Sequence, residues 1–438
     1  MADAPASAPQ ALEQANVLRE TVRGAPLTDE GLNRAACELA GYLLVMSQGS
    51  ETPAESRRHA ELARLMGDRR GQLFSTLLTD RVPRLRSGGD VVRQALNVLN
   101  RTGIPRSMTT WDQLQLRALK LVGPLLPGVV GAGVRRRIRQ DALPFLIPGE
   151  AGALTQAVRA LKAPASIPAL GRRAAHDGSS SVRVNVNKLG EEVLGHAEAE
   201  RHMDAYLALL ANPAVDTVSV KVSSICAQLS VLAWDDSFGR ICEALERLYR
   251  AAIGDGSGPA KLVMLDMEAY RDLELTHRAF VNVLARPEFT GLTAGIVLQA
   301  YLPDSHAVQA DLIAWARARC ARGGAPIQMR LVKGANLAVE RAESSQQDWA
   351  LPIYGSKPMV DASFKAMVHR ALEPGTVDAV RLGVASHNLF DVAHTLVLLS
   401  QGERDTGVHF EVLAGMAGPL SRALLALGQG VLVYSPAV

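Results

Sequence analysis

Short apolar runs alternate with helix-like segments along the C-terminal part of the chain. Eight runs rich in Val, Ile and Leu lie at 182–186, 217–222, 262–266, 295–299, 327–332, 379–384, 408–412 and 431–434. Segments with apolar residues at helical spacing separate them, at 191–211, 236–253, 271–287, 305–322, 359–373, 390–402 and 417–428. This alternation is typical of βαβ units and a parallel sheet. Eight units predict an α/β fold of the closed (β/α)8 type; a doubly wound open sheet is the alternative.

The preceding region has helical periodicity throughout. Helices are predicted at about 28–48, 54–66, 70–80, 90–101, 109–124, 134–143 and 151–163, most of them separated by prolines. We therefore divide the chain into a disordered segment (1–26), a helical arm and linker domain (27–175) and the barrel (176–438). Gly131 and Gly133 could begin a dinucleotide-binding fingerprint, but Arg136 occupies the third glycine position and no strand precedes them.

Composition and charge exclude several classes of protein. Of 438 residues, 48% are hydrophobic and 21% charged, with a net charge of +3, so the chain can bury a core. No apolar window reaches the ~18 residues of a transmembrane helix, and the first residues lack signal-peptide character. The four cysteines are far apart and predict reduced thiols in the cytoplasm. The cluster 135–139 predicts a solvated helix face, with a nucleic-acid or membrane patch as the alternative.

Polar side chains follow almost every predicted strand. In a barrel the active site lies at the carboxyl ends of the strands, so these residues are the candidates for chemistry. In chain order they are Asn187, Lys188, Lys221, Ser223, Ser224, Asp266, Glu268, Tyr270, Gln299, Tyr301, Arg330, Lys333, Gly334, Ala335, Asn336, Ser386, His387, Asn388, Glu411, Leu413, Gly415, Met416 and Tyr434.

Several kinds of active site are disfavoured because the strand-end residues lack the motifs that these sites require. His387 is the only histidine at a predicted strand end, so a catalytic metal is not expected. No GxSxG motif is present, and Cys226 has no evident basic partner. Arg330 and Lys333 with Gly334 could hold a phosphate group. Lys221 could serve as the amine of a Schiff-base aldolase, which is kept as an alternative.

Six sequence blocks resemble the proline dehydrogenase domain of the bacterial bifunctional proline utilization A flavoenzymes. They are VKVSSI (220–225), LDME (265–268), LQAY (298–301), RLVKGAN (330–336), GVASHN (383–388) and FEVLAGM (410–416), in the family's order. The helical region before them resembles that family's arm and linker.

This resemblance implies an activity and its partners. The expected reaction is oxidation of L-proline to Δ1-pyrroline-5-carboxylate by hydride transfer to N5 of FAD, with electrons passed to a membrane quinone. Proline and hydroxyproline both remain candidate substrates. A cytoplasmic protein peripheral to the inner membrane face is expected, with an aldehyde dehydrogenase domain in the full-length chain. No nucleic-acid binding is expected, and a homo-oligomer is left open.

The resemblance also implies roles for individual residues. Lys221 and Asp266 would stand at the substrate pocket with Leu413 and Tyr434 as its walls, and Arg330 would lie by the flavin N5. Lys221, Asp266 and Arg330 are thus the catalytic candidates. The implied cofactor-binding residues are Gln299, Arg330, Val332, Lys333, Gly334, Ala335, Lys357, His387 and Asn388.

Two departures from the family pattern stand out. Asn336 occupies a position where many members have an aromatic residue, so a stacking role is not carried over. The chain also stops before the family's final helix, whose run Tyr-Leu-x-Arg-Arg-Leu-x-Glu-Asn clamps the proline carboxylate. We therefore expect a C-terminally truncated barrel, and the first alternative to the enzyme is a cofactor-binding but catalytically crippled fragment, ahead of the aldolase.

Overall fold

The computed structural model describes residues 7–81, 85, 87–142, 146–162, 182–188, 192–256, 258–402 and 407–437. Eight parallel strands pair in chain order, and β8 pairs with β1 to close a barrel. The strands are β1 Val182–Lys188, β2 Thr217–Lys221, β3 Leu262–Asp266, β4 Gly295–Gln299, β5 Ile327–Val332, β6 Val380–Ala385, β7 Val408–Leu413 and β8 Val431–Ala437. The predicted (β/α)8 barrel is confirmed, and the open sheet is excluded.

Helices connect successive strands of the barrel. They are α9 His196–Ala211, α10 Val222–Ile225, α11 Trp234–Ile253, α12 Leu273–Leu284, α13 Ser305–Ala321, α14 Leu337–Gln347, α15 Lys357–Ala371, α16 Leu389–Gln401 and α17 Gly418–Ala426. In the described part of the chain before the barrel there are eight helices: α1 Ala8–Thr21, α2 Asp29–Ser50, α3 Pro53–Met66, α4 Arg69–Arg81, α5 Gly88–Thr102, α6 Thr110–Val122, α7 Pro127–Ala142 and α8 Ala151–Lys162.

Helices α1 and α2 belong to the same compact unit as the barrel. α2 packs on α16 and α17, and α1 packs on α2. The prediction that residues 1–26 are disordered is therefore wrong for 8–21, which form helix α1. Alanine is the best helix former, and Ala11 and Ala15 are fully buried. Arg19 then fastens α1 by donating to the Ser400 hydroxyl at 3.1 Å and the Leu427 carbonyl at 2.9 Å.

The second compact unit is Glu51–Leu146 and contains α3 to α7. The single helical domain predicted over 27–175 is thereby corrected, because its first helix joins the barrel unit. Within Glu51–Leu146, Gly131 lies on α7 where a Cβ atom would come within 2.3 Å of the Gly88 carbonyl oxygen. Gly131 therefore allows α7 to pack closely against α5. The residues around it form a helix, whereas a dinucleotide-binding fingerprint would need a strand before its first glycine.

The barrel interior is unusually polar. Such barrels are normally filled by layers of branched apolar side chains. Here Arg330 of β5 donates to Ser219 of β2 at 3.2 Å, and Tyr434 of β8 donates to Asp266 of β3 at 2.8 Å. Hydrogen bonds between strands that are not neighbours must run through the interior. These strands therefore bring charged groups together beneath the carboxyl-end opening.

None of the described helices is both long enough and apolar enough to cross a membrane.

Candidate active site

A buried guanidinium forms the floor of the site. Arg330 Nε donates to Glu411 Oε2 at 2.5 Å, and its Nη1 donates to Asp266 Oδ1 at 2.7 Å. The side chains of Arg330 and Glu411 are only 4% and 3% exposed. Burial alone would lower the pKa of Arg330, but Glu411 and Asp266 outweigh it and raise that pKa. Arg330 is therefore a fixed positive charge between two carboxylates.

One donor of this guanidinium is left over. Nη2 of Arg330 is buried and has no hydrogen-bond partner among the described residues. Buried polar groups in proteins are almost always paired, so an unpaired donor beside a cavity indicates a ligand atom or an ordered water molecule.

Tyr434 forms one wall of the site. Its hydroxyl donates to Asp266 Oδ2 at 2.8 Å and accepts a hydrogen bond from the Asn187 side chain. Its ring lies 5.4 Å from the Arg330 guanidinium carbon. Burial and the neighbouring Asp266 carboxylate raise the pKa of Tyr434, so the phenol stays protonated and can only donate to Asp266.

A second ion pair lies at the rim. Lys221 Nζ pairs with Glu268, and the two side chains are 21% and 30% exposed. Buried Gln299 donates to the Glu268 carbonyl oxygen at 3.0 Å, which ties the end of β4 to the β3 loop. The rim lysine is thus held at the cavity and is partly open to it.

A cluster of two lysines and two aspartates lies on the opposite side of the opening, after β5. Lys333 Nζ contacts Asp361 of α15 and lies 2.7 Å from Asp391 of α16. Lys357 also reaches Asp361, at 2.7 Å. Burial opposes the charge on Lys333, but the two aspartates raise its pKa. Lys333 therefore bridges the N-terminal parts of α15 and α16.

Helix α15 begins at this cluster. Its N-cap Ser356 makes no side-chain cap hydrogen bond, so the first backbone N–H groups are not capped by that side chain. Uncapped N–H groups at a helix N-terminus attract anions, and Lys357 is its first residue. This end of the site is suited to phosphate.

The loop after β5 approaches the ring of Tyr301 very closely. Gly334 has a φ of +125°, and a Cβ atom there would lie 2.5 Å from the Tyr301 ring. Only glycine fits this position without displacing the ring. The backbone of 333–336 can therefore form a flat, close-fitting edge of the cavity.

His387 and Asn388 connect β6 to α16. The Leu413 backbone N–H donates to His387 Nε2 at 3.0 Å, so that nitrogen is an acceptor, and burial lowers the pKa of His387. Asn388 caps α16 by accepting from the Phe390 N–H at 2.9 Å. Leu413 stays 42% exposed beside them.

These residues surround one cavity of about 660 Å³. The cavity is lined by all thirteen residues to which the family resemblance gives a role: Lys221, Asp266, Gln299, Arg330, Val332, Lys333, Gly334, Ala335, Lys357, His387, Asn388, Leu413 and Tyr434. Of the other strand-end candidates, Glu268, Asn336, Ser386 and Glu411 also line it, and Asn187, Lys188, Ser223, Ser224, Tyr270, Tyr301, Gly415 and Met416 do not. Lining the cavity does not by itself assign a functional role to any of these residues.

Sequence reasoning assigned no role to several residues of the site. Glu268 and Glu411 were noted only as polar strand ends, and Asp361 and Asp391 were not noted. Side chains alternate in direction along a strand, so Glu411 faces the same side of β7 as His409, and two polar residues on one side of an apolar strand are a signal for Glu411. Asp361 and Asp391 lie on helices and carry no such signal. Among the described residues, no group of three or more His, Cys, Asp or Glu could hold a metal ion.

The fold is a (β/α)8 barrel, and its candidate site is a cavity at the carboxyl ends of the strands, over a buried guanidinium–carboxylate cluster. The sequence model of the proline dehydrogenase family matches residues 170–438. The chain belongs to this family.

Solved structures agree with this assignment. Proline utilization A from Corynebacterium freiburgense is 39% identical over 69% of this chain and 29% of that chain, with a TM-score of 0.62. Proline utilization A from Bdellovibrio bacteriovorus, inactivated by N-propargylglycine, is 22% identical over 93% of this chain and 40% of that one, with a TM-score of 0.71. The second likeness shows the fold alone.

The chain thus covers well under half of the length of these two relatives. A search among curated proteins found no match.

Proposed function

We propose that the chain oxidises L-proline to Δ1-pyrroline-5-carboxylate with FAD as the acceptor of the hydride. The observation that carries the proposal is the buried Asp266–Arg330–Glu411 cluster, with an unpaired Arg330 donor under a cavity lined by Lys221 and Tyr434. Membership of the proline dehydrogenase family supports the choice of substrate.

The chain's own residues suit this reaction. Hydride leaves the carbon next to nitrogen only after the substrate ammonium has lost a proton, and a water molecule oriented by Asp266 is the proposed acceptor, so that Asp266 keeps its negative charge. Loss of the hydride then gives the nitrogen iminium character. A preorganised carboxylate stabilises this positive charge, and Tyr434 holds Asp266 in place. Lys221 would attract the substrate carboxylate, and Leu413 with Tyr434 would enclose the ring.

Several features support a fit to FAD. The unpaired Nη2 of Arg330 can donate to an acceptor atom of a flavin ring. The close approach of Gly334 to Tyr301 leaves a smooth backbone edge for a flat ring system. The start of α15 with Lys357, together with Lys333, offers N–H groups and ammonium donors to a diphosphate.

Bound there, FAD would supply a two-electron acceptor, which no side chain provides. The proposed holding residues divide by position. Arg330 and Gln299 would face the flavin; Lys333, Lys357, His387 and Asn388 would hold the phosphate and ribose groups. Val332 and Ala335, with Gly334, would line the cofactor.

Later steps are part of the same proposal. Electrons would pass to a quinone in a membrane with which the protein associates peripherally. The product would be oxidised further by an aldehyde dehydrogenase domain, which is consistent with the description of one matching structure as bifunctional proline utilization A.

The aldolase alternative is disfavoured. A Schiff-base lysine must act as a free amine, whereas Lys221 is ion-paired with Glu268. The functional test is proline-dependent reduction of an artificial electron-accepting dye by the FAD-reconstituted chain. Proline-dependent reduction supports the proposal. A chain that binds FAD but reduces no dye with proline would instead be the cofactor-binding, inactive fragment.

A further inference from the structure

The side chains of Arg330 and Glu411 contact each other across β6, where the residue between them is a glycine, Gly383. In the sheet register Arg330 of β5 pairs with Gly383 of β6, and Gly383 pairs with His409 of β7. A Cβ atom on Gly383 would lie 2.2 Å from Glu411 Oε1 and 3.2 Å from His409 Nε2. The glycine therefore makes the space that the Glu411 carboxylate occupies.

Both oxygens of this carboxylate are engaged. Oε2 accepts from Arg330 Nε at 2.5 Å, and Oε1 lies 3.0 Å from His409 Nε2. Burial would raise the pKa of Glu411, but Arg330 and His409 lower it to about 2, so Glu411 is charged. Burial lowers the pKa of His409, against the opposing effect of Glu411, so this imidazole is neutral and donates to Oε1.

Among the groups in direct contact, one guanidinium, Arg330, serves two carboxylates, Asp266 and Glu411, so these contacts hold one more negative charge than positive. Arg183 of β1 adds a positive charge at longer range, and its interaction is with Glu411. The rim pair Lys221–Glu268 adds no net charge. Glu411 accepts a hydrogen bond from Nε of the guanidinium, whereas Asp266 accepts one only from Nη1. The uncompensated negative charge therefore lies at Asp266, whose side chain is 12% exposed and lines the cavity.

We propose that Glu411 is a positioning residue which, by sharing Arg330, leaves the charge of Asp266 available to a cationic amine in the pocket. This inference rests on the proposed function and names the substrate feature that the floor recognises. The ring nitrogen is positive in the bound ammonium, in the iminium-like transition state and in the protonated product. A fixed counter-charge suits all three without rearrangement.

The test compares two ligands that differ only at the ring nitrogen. Proline carries an ammonium group, and cyclopentanecarboxylate has a methylene there. For the FAD-reconstituted chain, the Kd of proline is taken from the concentration dependence of the anaerobic reduction rate, which separates binding from the limiting rate. The Kd of cyclopentanecarboxylate is taken from the shift it causes in the flavin absorption band.

We expect Glu411→Gln to reduce the preference for proline over cyclopentanecarboxylate at least tenfold, and Glu411→Asp to retain part of it. Glu340→Gln is the matched control, because Glu340 is also a buried carboxylate (3% exposed) but does not line the cavity. It should leave the preference unchanged.

The possible outcomes distinguish a failure of this inference from a failure of the proposed function on which it rests. An unchanged preference in Glu411→Gln, or equal weakening of both ligands, overturns the positioning role and leaves the proposed function standing. Failure of proline to reduce the unmodified chain overturns both.

Gly383→Ala provides a second variant if Glu411→Gln does not fold. It displaces the same carboxylate from the neighbouring strand without removing a charge. We expect it to lower the preference for proline, and a Gly383→Ala protein with the original preference contradicts the proposal.

Discussion

Arg330 on β5 donates to Asp266 on β3 at 2.7 Å, past the intervening strand β4. The contact runs through the interior of the barrel, where both side chains are largely out of water. It connects the floor of the cavity to the residue proposed to face the substrate nitrogen. The predictions below follow from this arrangement and its surroundings.

Replacing Asp266 with Asn should remove the uncompensated negative charge while keeping the size of the side chain. Because a preorganised electrostatic group contributes roughly 10²–10³ to kcat, we expect a fall of that order in kcat/KM for proline. Steady-state rates with an artificial acceptor measure it. Asp204→Asn, at an exposed position on α9, is the control. Rates within about threefold of the unmodified chain would contradict the role given to Asp266.

Replacing Gly334 with Ala should weaken cofactor binding. The new Cβ atom meets the Tyr301 ring at 2.5 Å, in addition to the strain of a positive φ. Absorbance of retained flavin relative to protein measures the effect. Gly323→Ala is the matched control, since Gly323 also has a positive φ, of +83°, but has open space around it. Equal flavin retention in the two variants would show that the contact with Tyr301 does not shape the site.

Replacing Lys333 with Met should leave Asp361 and Asp391 without their shared cation. Asp391 would then have no cation and Asp361 would keep only Lys357, so the added negative charge would repel a diphosphate. We therefore expect the Kd of FAD to rise at least tenfold, or about 1.4 kcal/mol. Titration of flavin fluorescence measures the Kd. Lys120→Met, on the surface of α6, should leave it unchanged. Equal FAD affinity in both variants would remove Lys333 from the cofactor site.

Buried His394 should make stability depend on pH. Burial lowers its pKa from 6.5 to about 4, and its Nε2 lies 2.9 Å from His369 Nε2. Above pH 6.5 neither the folded nor the unfolded state is protonated there. As the pH falls from 6.5 to 4, only the unfolded state gains the proton, so the free energy of unfolding decreases by on the order of 3 kcal/mol.

Urea denaturation between pH 4 and 7 measures this effect. His394→Gln should show a flatter pH dependence than the unmodified chain, whereas His196→Gln, at an exposed position, should follow the unmodified curve. Parallel curves for His394→Gln and the unmodified chain would mean that His394 does not titrate as described.

Much of the barrel could be predicted because its strands are short, apolar and separated by amphipathic helices. The location of the candidate site could be predicted for the same reason. A run of buried residues that ends in Lys221, Asp266 or Gln299 places a polar group at the opening of the barrel. Parallel strands bring those ends together whatever the details of packing.

Other features depend on contacts that no local pattern encodes. The packing of α1 and α2 on the barrel depends on α16 and α17, more than 300 residues along the chain. The Arg330–Glu411 pair depends on the register of three strands and on the absence of a side chain at Gly383. Asp361 joined the site because α15 begins beside Lys333, which is a consequence of loop geometry.

The central claim is that this barrel takes a hydride from proline with bound FAD. Its most direct test is the visible spectrum of the FAD-reconstituted chain under anaerobic conditions, before and after addition of proline. The account predicts flavin absorption bands that bleach as proline is added. A protein that takes up no FAD, or whose flavin stays oxidised at saturating proline, would contradict it.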